Sequence, residues 1–324
     1  MANFKHESAG QIMETTYITV PGHFIVDNAI AYFRKHAKNK ENLHYIYVTD
    51  DYSRLCGVLS VRELVIAEKD SRIQDIMTKD VVYAPSDMDQ EELAMMFEKE
   101  DLLSVPIVNE RFQMIGVVHV DDILDVVKHE ATEDFLKMAP VSPLGEGLKD
   151  ASVSLLYRKR ITWLVLLVFM NVFSGAGIAH FEDVIENNIA LVFFLPLLVD
   201  SGGNAGSQAS TLMIRAMALG DVKIKDWLKL FTKEISISFL LGITMAIAVS
   251  IVGFVRGGAE IAVVVSLTMT LVVMVGSLIG MSLPFIFNKL KMDPATASAP
   301  LITSVADIVG VLIYFSIASW YLGL

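Results

Sequence analysis

Long apolar runs fill the second half of the chain, whereas the first half alternates short apolar stretches with polar ones. Five runs are long and apolar enough to cross about 30 Å of hydrocarbon. They cover residues 161–180, 189–219, 229–255, 259–288 and 294–322. This pattern predicts a polytopic α-helical membrane domain with five transmembrane helices over residues 158–324.

The first half contains an internal repeat. Ile12-Met13 recurs as Ile76-Met77, and each pair is followed by a β-rich run, a helical stretch, two short strands around a turn, and an acidic helix start. This β-α-β-β-α order, present twice, resembles a tandem pair of CBS domains, which predicts an α+β fold. We place the first CBS domain at residues 1–72, the second at 73–130, and a connecting helix at 131–157.

Charge separates the two halves. Residues 1–150 hold 27 acidic and 15 basic side chains, a net charge of −12, whereas residues 151–324 hold 10 and 11. An acidic excess argues against nucleic acid as a partner and favours divalent cations. The single Cys56 excludes an internal disulfide and a Cys-based metal cluster, and it fits a reducing compartment.

Lysine and arginine predict the orientation of the membrane domain. They cluster at residues 158–160, 223–229 and 289–291, whereas the opposite loops hold an acidic stretch at 180–188 and Arg256. Residues 1–10 are polar, so the first apolar run is expected to act as the insertion signal. We expect a multi-pass protein of the cell (inner) membrane, with the N-terminus and CBS domains cytoplasmic and the C-terminus outside. An odd helix count favours a symmetric homodimer around a pore.

Asp307 is the only charged side chain in residues 294–322. An ionised carboxylate at bilayer depth costs about 3 kcal/mol on insertion scales, and such residues usually line an ion path. The alternative is a structural acid paired with a buried base, but Arg215 and Lys233 belong near the cytoplasmic rim. Small or polar residues share its helical stripe, namely Ala295, Ala299, Thr303 and Gly310.

The second apolar run contains Pro196 and the sequence Gly202-Gly203-Asn204-Ala-Gly206-Ser-Gln208. Such residues predict a broken helix whose freed carbonyls, together with Asn204 and Gln208, contact a hydrated cation. Close helix packing through small residues is the alternative. Few carboxylates among small and amide groups suit Mg²⁺, which keeps several of its waters. Mn²⁺ and Co²⁺ are not excluded.

Acidic side chains are dense in the second repeat and just beyond it. Glu130, Glu133 and Asp134 share one helix face, where like charges repel unless cations bind. A divalent ion could lock two such faces together, although an ordinary solvated acidic surface is equally compatible. The Ser60–Glu63 and His119–Asp122 pairs depart from the hydroxyl and Asp pattern by which many CBS domains hold a ribose. Nucleotide binding and a purely scaffolding pair both stay open.

These features together closely resemble the MgtE family of magnesium channels over residues 10–324. The specific parts are the CBS pair, the Glu130–Asp134 stretch, the Gly202–Gln208 stretch, and Asp293-Pro294-Ala295 followed by Asp307. The resemblance implies a homodimeric Mg²⁺ channel with its pore between the second and fifth helices. It also implies that residues 131–156 plug this pore when cytosolic Mg²⁺ is high.

The same resemblance implies individual site residues. The pore residues are Asp307, Thr303, Ala299, Asn204 and Gly203. The cytosolic Mg²⁺ sensors are Asp89, Glu91, Asp101, Asp122, Glu130, Glu133 and Asp134. The residues for ATP, a candidate ligand of the CBS pair, are Tyr45, Arg62 and Glu63.

Three departures from the family pattern matter. Ala299 stands where members often have Asn, and Glu63 stands where Asp is usual. Typical members also carry a helical acidic domain ahead of the CBS pair, so gating here is expected to be weaker or to depend on the CBS pair and plug alone. The alternatives are an ion-coupled secondary transporter of divalent cations such as Mn²⁺ or Co²⁺, and a membrane-anchored nucleotide sensor. An enzyme is not expected, since no catalytic motif is found.

Overall fold

The computed structural model describes residues 4–38, 43–139 and 149–323. The chain divides into two compact units, Met1–Ala131 and Thr132–Leu324. The first has the predicted α+β CBS-pair fold, and the second is helical.

The first unit contains the β-α-β-β-α order twice, each time preceded by a short helix that was not predicted. The first repeat comprises α1 (Ala9–Ile12), β1 (Thr19–Pro21), α2 (Val26–His36), β2 (Tyr45–Thr49), β3 (Leu55–Ser60) and α3 (Val61–Ile66). The second comprises α4 (Ile73–Ile76), β4 (Ala84–Pro85), α5 (Gln90–Glu100), β5 (Ser104–Val108), β6 (Met114–His119) and α6 (Val120–Met138). From Thr132 onward, α6 belongs to the second unit. In each repeat the first two strands pair parallel and the last two antiparallel, giving two sheets of three strands.

The two repeats exchange their leading helices. Ala9 of α1 is fully buried in the core of the second repeat, and Ile73 of α4 is fully buried in the core of the first. The chain after each helix then forms a bridge to the other repeat, Glu14 with Val117 and Thr78 with Val58. Each hydrophobic core therefore contains one short helix that belongs, by sequence, to the other repeat.

The second unit consists of long helices. It contains α7 (Val153–His180), the short α8 (Glu182–Asn187), α9 (Ala190–Ala218), α10 (Trp227–Lys289) and α11 (Ala299–Leu322), with short 3-10 helices at Ile224–Asp226 and Pro294–Thr296. Within the described part of the chain, three spans are long and apolar enough to cross a membrane, namely Val153–His180, Ile224–Lys289 and Ala299–Leu322. The five-helix count stays a prediction.

The long element α10 is a hairpin of two helices. A straight helix of its 63 residues would extend about 95 Å, about three times the thickness of the hydrocarbon. Its backbone leaves the helical region at Gly258, where φ is 79°. The two halves then run antiparallel, because Ser266 Oγ donates to the carbonyl of Ala246 (3.4 Å) and Ser277 Oγ donates to Glu234. The break lies between the predicted runs 229–255 and 259–288.

The predicted break in the second apolar run is wrong. α9 is one helix from Ala190 to Ala218, with Pro196 inside it. Its glycines serve close packing instead, because a Cβ at Gly202 would lie 2.5 Å from Val272 Cγ1 and one at Gly206 only 2.6 Å from the carbonyl oxygen of Gly276. The backbone carbonyls here are used by the helix itself, so side chains must supply any ligands for a cation.

The segment predicted as one connecting helix, residues 131–157, includes the end of α6 and the beginning of α7. Residues 131–138 continue α6, and residues 153–157 begin α7, whose N-cap Ser152 accepts from the Leu155 amide at 3.2 Å. Residues 140–148 of this segment lie outside the described part of the chain.

Candidate functional site

Helices α9 and α11 pack against each other in antiparallel register. Tyr314 Oη donates to the carbonyl of Leu191 at 2.9 Å, and a Cβ built at Gly203 would meet Thr303 Cγ2 at 3.0 Å. These two contacts fix the register, because facing residue numbers rise along α9 while they fall along α11. The predicted pore residues Gly203 and Thr303 are therefore brought together.

The same register brings Asp200 to the level of Asp307, and the two carboxylates interact electrostatically. Asp200 Oδ2 accepts a hydrogen bond from Asn204 Nδ2 at 2.8 Å, one helical turn away. Sequence reasoning overlooked Asp200, although it lies four residues before Asn204 and eight before Gln208, a spacing that places all three on one helix face. The acid partnering Asp307 could have been found by extending that stripe by one turn.

This polar stripe faces away from the bundle. Asp200, Asn204 and Gln208 are exposed, and Asp307 and Thr303 are half-buried beside them. Carboxylate, amide and hydroxyl oxygens are the donors that hard cations such as Mg²⁺ prefer. We define these five residues as the α9–α11 stripe.

The start of α11 lies later than predicted. The helix begins at Ala299, after the N-cap Ser298, whereas Ala295 belongs to the separate 3-10 turn and is buried. Ala299 lies one turn before Thr303, whose Oγ1 is used locally to donate to the carbonyl of Pro300 at 3.0 Å. The predicted small-residue stripe thus starts at Ala299.

The predicted cytosolic sensors are spread over two helices. Asp89 caps the start of α5, where its Oδ1 accepts from the Glu91 amide at 2.9 Å, and Asp101 ends that helix with a φ of 50°. These ends are about 18 Å apart at 1.5 Å per residue. Asp122 accepts from the His119 amide at 3.3 Å at the start of α6. Among the described residues, no group of three or more His, Cys, Asp or Glu is placed to hold a metal within one chain.

The remaining sensor acids lie along α6 and have partners of different kinds. Glu130 accepts from Gln90 Nε2, an amide that is itself buried. Glu133 lies 2.6 Å from Lys137 Nζ, which also contacts Asp293 Oδ2 at 2.5 Å. Burial disfavours the charged form of Lys137, but the hydrogen bonds to Asp293 and Glu133 outweigh this effect and raise its pKa. Sequence reasoning missed this lysine because its second partner is 156 residues away.

The predicted nucleotide residues are not all brought together. Tyr45 lines a cleft between the repeats, whereas Arg62 and Glu63 lie exposed on α3. Glu63 completes a capping box, since its Oε2 accepts from Ser60 Oγ at 2.7 Å and from the Ser60 amide at 2.8 Å. These bonds hold the pKa of Glu63 below its usual value. The residue expected to contact a ribose therefore already stabilises a helix start.

The cleft beside Tyr45 is narrow and polar. Its lining comprises Thr16, Tyr17, Leu43, Tyr45, Tyr47, Ser104, Val117 and His119. Its free volume is about 10 Å³, which is room for one water molecule. Tyr47 Oη and Ser104 Oγ hydrogen-bond at 2.9 Å, whereas neither ring nitrogen of His119 has a partner among the described residues. An adenosine would need this cleft to widen.

Comparison with known families covers both units. The MgtE family, described as a divalent cation transporter, matches residues 195–317, which include the whole α9–α11 stripe. The CBS domain family matches residues 9–70 and 73–129.

Characterised relatives resemble nearly the whole chain. The magnesium transporter MgtE of Thermus thermophilus is 36% identical over 98% of this chain and 71% of its own length. The Bacillus subtilis magnesium transporter MgtE is 36% identical over 99% of this chain and 71% of its own. The solved cytosolic domain of the Mg²⁺ channel MgtE in complex with ATP is 38% identical over 38% of this chain and 50% of its own, with a TM-score of 0.37. The chain therefore belongs to the MgtE family of magnesium transporters.

Proposed function

We propose that this chain forms a homodimeric Mg²⁺ channel of the cell membrane. In this proposal all five long helical segments cross the bilayer, with the CBS pair in the cytoplasm and the C-terminus outside. The pore runs along the two-fold axis and is lined by the α9–α11 stripes of both copies.

The observation that carries this proposal is the exposed α9–α11 stripe on helices of membrane length. Asp200, Asn204 and Gln208 are exposed on α9, beside Asp307 of α11. Polar side chains facing hydrocarbon are costly, so such a stripe normally faces protein or water. A second copy related by a two-fold axis would cover the stripe with protein and enclose a water-filled path between the two copies.

The chemistry of this path favours a hydrated cation. Each copy contributes the acids Asp200 and Asp307, so a dimer places four carboxylates around the axis. Mg²⁺ loses its waters reluctantly and is usually bound through one or two carboxylates plus water. The amides of Asn204 and Gln208 and the hydroxyl of Thr303 can accept hydrogen bonds from those waters.

Closure by cytosolic Mg²⁺ follows from the acids of the first unit. Asp89, Asp101 and Asp122 belong to none of the groups of three or more possible metal ligands that one chain could form among its described residues. A divalent ion between two surfaces that carry these acids would stabilise the arrangement in which they meet. When Mg²⁺ falls, repulsion between like charges favours separation, and the two-state equilibrium shifts towards the open channel.

The direct test is Mg²⁺ flux into proteoliposomes containing a Mg²⁺-sensitive dye. Asp307→Ala should abolish flux. Glu260→Gln, which changes an exposed acid beside the Gly258 turn of the α10 hairpin, should leave flux unchanged. Normal flux through Asp307→Ala would exclude the proposed pore. Flux that requires a proton or Na⁺ gradient would instead indicate an ion-coupled transporter.

The cleft beside Tyr45 supports ATP as a modulator of this channel. Its tyrosines can stack on an adenine ring once the cleft widens. Tyr45→Ala should weaken ATP binding to the purified full chain in calorimetry, whereas Tyr52→Ala, an exposed tyrosine outside the cleft, should not. Equal ATP affinity in both variants would place the nucleotide elsewhere.

A further inference from the structure

Lys137 joins two carboxylates that come from distant parts of the second unit. Its Nζ lies 2.6 Å from Glu133 Oε1 and 2.5 Å from Asp293 Oδ2. Glu133 and Lys137 are one turn apart at the end of α6, whereas Asp293 lies in the connection between α10 and α11. The side chains are between 19% and 35% exposed, so solvent screens this cluster only in part.

Asp293 transmits this contact to the start of α11. Its other oxygen, Oδ1, accepts the Ala295 amide at 2.8 Å and so begins the 3-10 turn that precedes the helix. Ala295 and Ala297 of this connection are buried against Ile214 of α9, and Met138 at the end of α6 packs on the same group. The ionic and the apolar contacts therefore hold the end of α6 against the residues that position α9 and α11.

The charges explain why a cation is needed at this point. Glu133 and Asp293 both direct a carboxylate oxygen at the same place, and two carboxylates so close would repel without a positive charge between them. A divalent ion could supply that charge, but here the chain supplies its own ammonium.

We propose that Lys137 acts as a built-in cation that holds the end of α6 against the α10–α11 connection and favours the closed channel even without Mg²⁺. This inference rests on the proposed function, since it concerns the closing of the same pore. Glu133 thereby has a different role from the other predicted sensors, because its charge is balanced within the chain. Lys137 is a positioning residue: it acts on α11 through Asp293.

The first experiment measures Mg²⁺ flux when the cytoplasmic side contains EDTA and no Mg²⁺. Lys137→Gln should raise this flux about fivefold, which corresponds to about 1 kcal/mol, the upper range for a partly exposed ion pair. Restoring Mg²⁺ should close the variant, because the two freed carboxylates can then share a divalent ion. Lys137→Arg should behave like the parent, and Lys289→Gln, an exposed lysine at the end of α10, provides the matched control.

The second experiment tests the contact itself. Lys137→Asp and Asp293→Lys should each raise the flux in EDTA, and the double exchange should restore the parent value because the charges again attract. Thermal unfolding in EDTA should show the same non-additivity.

The outcomes separate the two proposals. If the parent protein conducts through Asp307 but Lys137→Gln has parental flux in EDTA, the built-in cation is excluded and the channel stands. If the parent protein carries no Mg²⁺ flux, the proposed function fails. Additive melting shifts in the charge exchange would exclude the contact whatever the flux.

Discussion

Asn204 donates a hydrogen bond from its side-chain amide to the carboxylate of Asp200, 2.8 Å away on the same face of α9. The bond fixes the orientation of both side chains on a helix that is continuous through the glycine-rich stretch. The amide nitrogen of Asn204 is thus used by the acid, so its amide oxygen is the atom with which this side chain can accept a hydrogen bond from a hydrated ion.

This arrangement predicts the effect of neutralising Asp200. Asp200→Asn should lower Mg²⁺ flux about tenfold, because the path loses a carboxylate and the orienting partner of Asn204, and a factor of ten corresponds to about 1.4 kcal/mol. Asn204→Ala should lower flux less, since both acids stay in place. Flux assays in proteoliposomes at equal protein density would test the ranking; a more severe loss in Asn204→Ala would contradict it.

Gly206 should be intolerant of a methyl group. A Cβ there would lie 2.6 Å from the Gly276 carbonyl oxygen and 2.8 Å from Ile302 Cγ2, so α9 would have to move. Such overpacking costs about 1–3 kcal/mol. Thermal unfolding in detergent should show Gly206→Ala melting several degrees below the parent.

Gly175 supplies the control for this substitution. Among the described residues, no atom lies within 4 Å of a Cβ built there, and alanine gains about 1 kcal/mol over glycine inside a helix. Gly175→Ala should therefore be neutral or stabilising. Equal melting temperatures of Gly206→Ala and Gly175→Ala would contradict the packing argument.

Glu63 should make α3 sensitive to acid. Its pKa is lowered in the folded protein by the hydrogen bonds from Ser60, so its stabilisation is fully present above the unfolded value of about 4.3. It is lost as the pH falls through the lower folded value. Glu63→Gln should therefore melt below the parent at pH 7, and this difference in melting temperature should shrink as the pH falls below the unfolded value. Glu68→Gln, at an exposed position just beyond α3, is the matched control in calorimetry.

His119 should be replaceable by an apolar residue of similar size. Its ring is buried, and neither nitrogen has a partner among the described residues, so an apolar side chain removes a desolvation cost. His119→Leu should melt at or above the parent temperature. Ser104→Ala, which breaks the 2.9 Å bond to Tyr47, should cost about 1 kcal/mol. A fall of several degrees in His119→Leu would instead reveal a bound water or ligand.

Periodic features of this fold could be predicted from the sequence. The apolar runs predict the bounds of the long helices to within a few residues, apart from two starts: α7 begins at Val153 rather than 161, and α11 begins at Ala299 rather than 294. The break at Gly258 falls in the gap between two predicted runs. The Ile-Met repeat marks the start of both copies, but it does not predict the short helices α1 and α4 that end at Ile12 and Ile76. These successes depend on signals that lie within about twenty residues of chain, where hydrophobic period and turn residues decide the structure.

The remaining features depend on contacts between distant residues. Lys137 meets Asp293 across 156 positions, and nothing local in either sequence specifies that meeting. The glycines of α9 are compatible from the sequence with a break or with close packing, and only the contacts with Val272 and Gly276 decide for packing. Ser60 and Glu63 depart from the ribose-binding pattern of CBS domains, and the same spacing forms a capping box.

The exchange of leading helices between the CBS repeats has a consequence for folding and for signalling. Removing α4 from the first repeat, or α1 from the second, would expose a buried apolar core, so neither half is a complete folding unit. The pair should unfold in one cooperative step, and a cut between residues 72 and 73 should release no stable fragment. A ligand that stabilises the core of one repeat should therefore also stabilise the core of the other, so that the two CBS domains respond to ligand binding together.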